Sequence, residues 1–112
     1  MALTWEQVVA LAGELPAVEE STSYNTPALK VAGKLMARLR SEAEGALVVM
    51  CSLDEKAALL ASGDDAYFTT PHYDGHGSIL VDLERVDEQQ LRELVEEAWR
   101  IKAPAKVRRS AQ

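Results

Sequence analysis

The chain has 112 residues, 47% hydrophobic and 27% charged, with 18 acids against 12 lysines and arginines for a formal net charge of −6. That length holds one modest core and no second domain, the apolar fraction sets disorder aside, and the acidic balance excludes a globally basic nucleic-acid binder. The single cysteine, Cys51, permits no internal disulfide. No apolar run approaches the roughly 20 residues of a membrane span, and no signal peptide is recognisable, so the expected address is the cytoplasm.

In chain order, the Thr4 hydroxyl caps a first helix and Gln7 supplies the capping-box partner. Trp5, Val8, Val9, Ala12 and Leu15 recur at helical spacing, and Pro16 ends the element. Residues 17–25 are small, polar and acidic and read as a loop with an extended approach to the next element. Residues 26–39, TPALKVAGKLMARL, predict a β-hairpin. Placing Leu29, Val31, Leu35, Ala37 and Leu39 on one face requires Val31 opposite Leu35 and a three-residue loop, Ala32, Gly33 and Lys34. Lys30, Arg38, Arg40 and Met36 then share the other face, with Lys34 at the tip; no acid occurs between Lys30 and Arg40.

Residues 41–45 form a charged connection. The continuous apolar run at 46–52, ALVVMCS, predicts a central strand, with Cys51 as a buried small hydrophobe. Leu53 and Asp54 staple and cap a short helix over 55–62, stopped by Gly63, with Ala57, Leu60 and Ala61 inward. A strand at 66–70, a loop at 71–77 and a strand at 78–83 follow. Asp87 and Gln90 make a second capping box, ahead of a stripe of Leu91, Leu94, Val95, Ala98 and either Trp99 or Ile101. Pro104 terminates that helix, leaving a single domain over 1–106 and a basic tail, 107–112, that frays. Strands joined by short turns and helices with single apolar stripes predict an α+β fold, an antiparallel sheet with helices packed on one face.

The stretch LPAVEESTSYNTPALKVAGKLMARL, the segment DAYFTTPHYDGHGSILVDL and the closing EEAWRIKAPAK together resemble the MmcQ/YjbR family of small bacterial proteins. Tyr24, Thr26, Pro27, Lys30 and Gly33 match the family's entry into its first hairpin. Thr70, His72, Tyr73 and Gly75 match the loop before its last strand, and Trp99 and Pro104 its closing helix. The resemblance implies a frataxin-like (CyaY-type) α+β fold, and a double-wing arrangement for binding DNA.

Two groups of residues carry functional expectations. Lys30, Lys34, Arg38 and Arg40, helped by Lys106, Arg108 and Arg109, offer a basic face to DNA, an electrostatic and strongly salt-dependent contact; the plainer reading is a solvated sheet face that resists edge aggregation. Tyr24, Lys30, His72 and Tyr73 offer an ammonium, an imidazole and phenols to a small anionic ligand; the plainer reading has His72 and Tyr73 bonding the loop backbone. His72 and His76 stand four apart in a glycine-bearing segment that is no helix, so a metal site is not expected. No phosphate loop, nucleophile elbow or Ser/His/Asp set occurs. The expectation is a cofactor-free, non-enzymatic DNA-binding or ligand-binding protein with no membrane association, a monomer or homodimer.

Overall fold

A computed structural model describes residues 3–23, 26–41 and 46–110. Six strands form one antiparallel sheet in the order β1-β2-β3-β4-β6-β5. They are β1 (Val18–Ser23), β2 (Thr26–Val31), β3 (Lys34–Ser41), β4 (Ala46–Met50), β5 (Tyr67–Phe68) and β6 (Ser78–Asp82). The helices are α1 (Trp5–Ala12), α2 (Leu53–Ala61), α3 (Glu88–Lys102) and α4 (Ala105–Ser110). This is the expected single-domain α+β class, and no described helix is long and apolar enough to cross a membrane.

Both capping boxes form: the Thr4 side chain accepts from the Gln7 amide, and Asp87 from the Gln90 amide. They start α1 and α3, whose stripes meet over one sheet face. Val8, Leu11, Leu91, Leu94, Val95, Ala98 and Trp99 close on Leu29, Val31, Met36, Leu39, Leu47, Val49, Ile79 and Val81. Trp99, not the half-exposed Ile101, completes the stripe, and its Nε1 donates to the Pro16 carbonyl at 2.8 Å. Burying these side chains is the main term holding the layers together.

The hairpin departs from expectation in an informative way. Val31 pairs with Lys34, so its loop is two residues long, Ala32 and Gly33, with φ of +50° and +82°. Positive φ at both positions is the type I′ turn, whose twist matches paired strands. That register turns Leu35 away from the helices, as period-two alternation demands. A bulge opposite Leu29 and Lys30 then resets the phase, so Met36 joins the core while Ala37 pairs with Leu29. Arg38 consequently lies on the face away from the helices, across from Val48.

Other boundaries also shift. Residues 18–23, expected as loop, form edge strand β1, a polar strand whose Glu19 and Glu20 blunt a sheet edge. Ser52, rather than Asp54, caps α2, and its expected inward residues Ala57, Leu60 and Ala61 are exposed while Lys56 is buried. The strand at 66–70 is only two residues long, and the tail expected to fray forms α4, whose Arg108 donates to the carbonyls of Arg100 and Ala103. A cation there satisfies the open carbonyls at the α3 terminus. The connection at 42–45 lies outside the described residues.

Candidate functional site

The sheet face opposite α1 and α3 is covered by a loop, residues 69–77, instead of a helix. The loop has its own frame: the Thr70 carbonyl accepts the amides of Tyr73 and Asp74, each at 2.9 Å, and the Tyr73 carbonyl accepts the His76 amide at 3.0 Å. Its exit is pinned where the Cys51 amide donates to the Gly77 carbonyl at 2.9 Å. A Cβ at Gly77 would stand 2.9 Å from the Cys51 carbonyl oxygen, so the close approach of the end of β4 to the start of β6 needs glycine.

The main clamp is Lys56. Only 5% exposed, it sends its Nζ from α2 to the carbonyls of Tyr73, at 2.5 Å, and His76, at 3.0 Å. A buried ammonium must be bonded to be tolerated, and here its partners are the loop's backbone. On the other side Tyr73 meets the sheet: Arg38 donates to its hydroxyl, and the Arg40 guanidinium carbon sits 5.9 Å from its ring centroid. The His72 ring meets Tyr73 edge-on at 5.0 Å and stacks on His76 at 6.2 Å.

Between loop and sheet lies a cleft of about 520 Å³. Leu35, Val48 and Met50 give it an apolar floor, and Arg38, His72, Tyr73, His76 and Lys102 its polar rim. Leu35 is here because the two-residue turn faced it outward. Lys102 belongs to α3, so the cleft takes cations from two layers. No Asp or Glu lines it among the described residues. For a chain of net charge −6, that is a strong local reversal of sign, within the size range of small-molecule sites.

The residues expected to act together are partly separated. His72 and Tyr73 line the cleft, whereas Lys30 pairs with Leu35 and Glu19 on the same sheet face without lining it; Tyr24 lies outside the described residues. Of the basic set, Lys30, Arg38 and Arg40 share that face, but Lys34 pairs with Val31 and so falls on the opposite side. Lys106, Arg108 and Arg109 sit in α4. Lys102, Lys56 and His76 were not singled out as site residues from the sequence. Lys102 could have been noticed as the last basic residue of a periodic helix; nothing local marks Lys56, which looks like an ordinary helix-surface lysine.

Comparison with known proteins bears on the same architecture. The family model YjbR matches residues 13–101. Uncharacterized proteins of Mycobacterium tuberculosis and Mycobacterium bovis are 34% identical to the chain over 115 residues, covering 90% of it and 89% of their own length. The crystal structure of a Deinococcus radiodurans protein with a DUF419 domain superposes with a TM-score of 0.78 at 16% identity, over 96% of this chain and 86% of that one.

Proposed function

The chain belongs to the YjbR family, and from that premise and the charge of its loop-covered cleft we propose that it is a non-enzymatic module that binds a small anionic ligand between the 69–77 loop and the sheet. The observation carrying this reading is the lining itself, with Arg38, Lys102 and two imidazoles around an apolar floor and no carboxylate among the described lining residues. Arginine and lysine bind carboxylate or phosphate by charge-assisted hydrogen bonds, and Leu35, Val48 and Met50 would take the ligand's apolar body. The loop frame lets Tyr73 and His76 act as orienting groups, since Lys56 already holds their carbonyls, with the His72 ring packed against both.

Calorimetric titration with benzoate and with inorganic phosphate, at about 50 mM salt, tests the reading. Saturable binding that Arg38→Met and Lys102→Met each weaken roughly tenfold, the equivalent of one good charged contact, supports it. Heats that do not saturate, or affinity unchanged in both variants, defeat it.

A second reading is DNA binding, favoured by the common orientation of Lys30, Arg38 and Arg40. Set against it, Arg38 and Arg40 are drawn onto Tyr73, and Glu19 stands directly across from Lys30. Anisotropy of a labelled duplex at about 50 and 200 mM salt decides it: steep loss of binding with salt, and with Arg38→Glu/Arg40→Glu, is the electrostatic signature.

A further inference from the structure

Helix α2 wears its polarity reversed. A surface helix ordinarily turns an apolar stripe to the core and its charges to water. Here the one lysine, Lys56, is buried as the loop clamp, while Leu53, Ala57, Leu60 and Ala61, spaced i, i+4, i+7 and i+8, make an exposed stripe. Among the described residues the large apolar side chains left exposed are Leu53, at 57%, Leu60, at 39%, and Ile101, at 40%, near the end of α3. The last of these adjoins the stripe. Helix α2 runs antiparallel to α3: Glu55 in its first turn feels the charge of Glu97, and beyond its other end Gln90 donates to Asp64. Ile101 lies one turn past Glu97 on the same helical row, so it stands at the Leu53 end of the pair.

Charge is divided across this end. On the α2 side stand Asp54 and Glu55 of its first turn, with Lys56 turned inward. On the other side residues 100–110 carry five cations and no acid. Arg108 bonds the carbonyls of Arg100 and Ala103, which holds α4 against the end of α3, and Arg100 meets Glu97. Lys106 and Arg109 are exposed on α4. The apolar surface is therefore flanked by acids on one side and by bases on the other.

We propose that this surface is the interface of a two-fold symmetric homodimer, the α2 stripe of each copy covering the Ile101 end of the other. A two-fold axis applies a surface to itself with its halves exchanged, so the acidic first turn of α2 meets the basic α4 of the second copy, twice. A partner of a single charge sign would be repelled by one half; a second copy satisfies both. The alanines between Leu53 and Leu60 let the approaching helix come close. Three large side chains per copy cover less area than a permanent dimer needs, so this dimer is of the weak, exchanging class.

The test is sedimentation velocity of the full chain from about 10 µM to about 1 mM, at about 50 and 500 mM salt. The expected result is a shift from monomer toward dimer with concentration, weaker at the higher salt. Leu53→Glu, at an exposed first helical position that favours an acid, weakens association at least roughly tenfold, the mark of a central apolar contact. Asp54→Lys and Lys106→Glu/Arg109→Glu each weaken it as well. The deciding measurement mixes those last two. Each repels its own copies, but in a mixed pair both contacts join opposite charges, so the mixture regains the parental association. A monomer at every concentration, association untouched by Leu53→Glu, or a mixture no stronger than its separate components overturns the proposal.

Discussion

The two faces of the sheet are closed by different physics. On one, α1 and α3 lay apolar stripes over Leu29, Met36, Leu47, Ile79 and their neighbours, and the result is a continuous buried cluster. On the other, a loop is drawn down by directed polar contacts from Lys56 and Arg38, leaving a cleft above Leu35, Val48 and Met50. Close apolar packing excludes voids. A polar clamp fixes only the atoms it bonds, so room remains beside it. The helix-covered side of this fold and the side proposed to bind a ligand are separate for that reason.

The strongest perturbation breaks the helix-covered face. Leu91 is fully buried there, and Leu91→Ala should cost about 3 kcal/mol, the transfer and cavity terms together. Urea unfolding would show it, while benzoate affinity in the cleft should stay unchanged. A loss of affinity in proportion to stability would mean that the faces are coupled after all.

Alkaline pH probes the same contrast. Burial first, then Glu55, push the Cys51 thiol from 9.0 up to about 11, against the pull of Lys56. The folded chain therefore holds this proton more tightly than the unfolded one. Its contribution is complete below pH 9 and is lost as pH rises from 9 through about 11, a fall on the order of 2–3 kcal/mol. Tyr67, also raised, adds loss of the same sign. Denaturant midpoints at pH 8 and pH 11 check it: Cys51→Ala should remove most of the difference, and a variant as alkali-sensitive as the parent rejects the assignment.

On the loop-covered face the matching experiment is Lys56→Met. Two carbonyls lose a cationic donor, a change of about 2 kcal/mol, but the consequence should be local. Hydrogen exchange at the amides of Tyr73, Asp74 and His76 should accelerate, with helix α3 protected as before. Because hydrophobic replacement of a buried charge is sometimes neutral for global stability, the exchange pattern is the deciding readout. Uniform acceleration across the chain would show that Lys56 supports the whole fold rather than the loop.

The unequal legibility of the two faces has the same origin. Helical spacing from Trp5 to Ala12 and from Leu91 to Trp99 records burial directly, and Thr4 with Gln7 and Asp87 with Gln90 mark their own starts. The α+β class and the central place of β4 came from such local signals. Lys56 carries no signal of that kind, because its partners are backbone carbonyls 17 and 20 residues away. The polar pattern of β1 also misleads, since an edge strand can form without apolar alternation. His72 and Tyr73 stood out by residue type and by their match to the family's loop, but their company with Arg38 and Lys102 depends on the hairpin's register and on the end of α3 lying beside the cleft.

That register gives the subtlest and most pointed prediction. Ala32 holds φ of +50° ahead of Gly33 at +82°, a conformation costing an ordinary side chain about 1 kcal/mol that asparagine tolerates better. Ala32→Asn should therefore stabilise the chain by roughly 0.5 kcal/mol and leave benzoate affinity unaltered, because Arg38 keeps its side of the sheet. Inserting one glycine after Gly33 is the converse experiment. A two-residue turn of Gly33 and the inserted glycine would place Ala32 opposite Lys34 and so permit the alignment of Val31 with Leu35 that the apolar pattern alone favours, turning Leu35 inward at the expense of Met36 and withdrawing it from the cleft floor. Loss of benzoate binding with only a modest fall in stability would tie the cleft to the register set at the turn; binding retained after the insertion would show that the bulge opposite Leu29 and Lys30, rather than the turn, sets which face Arg38 occupies.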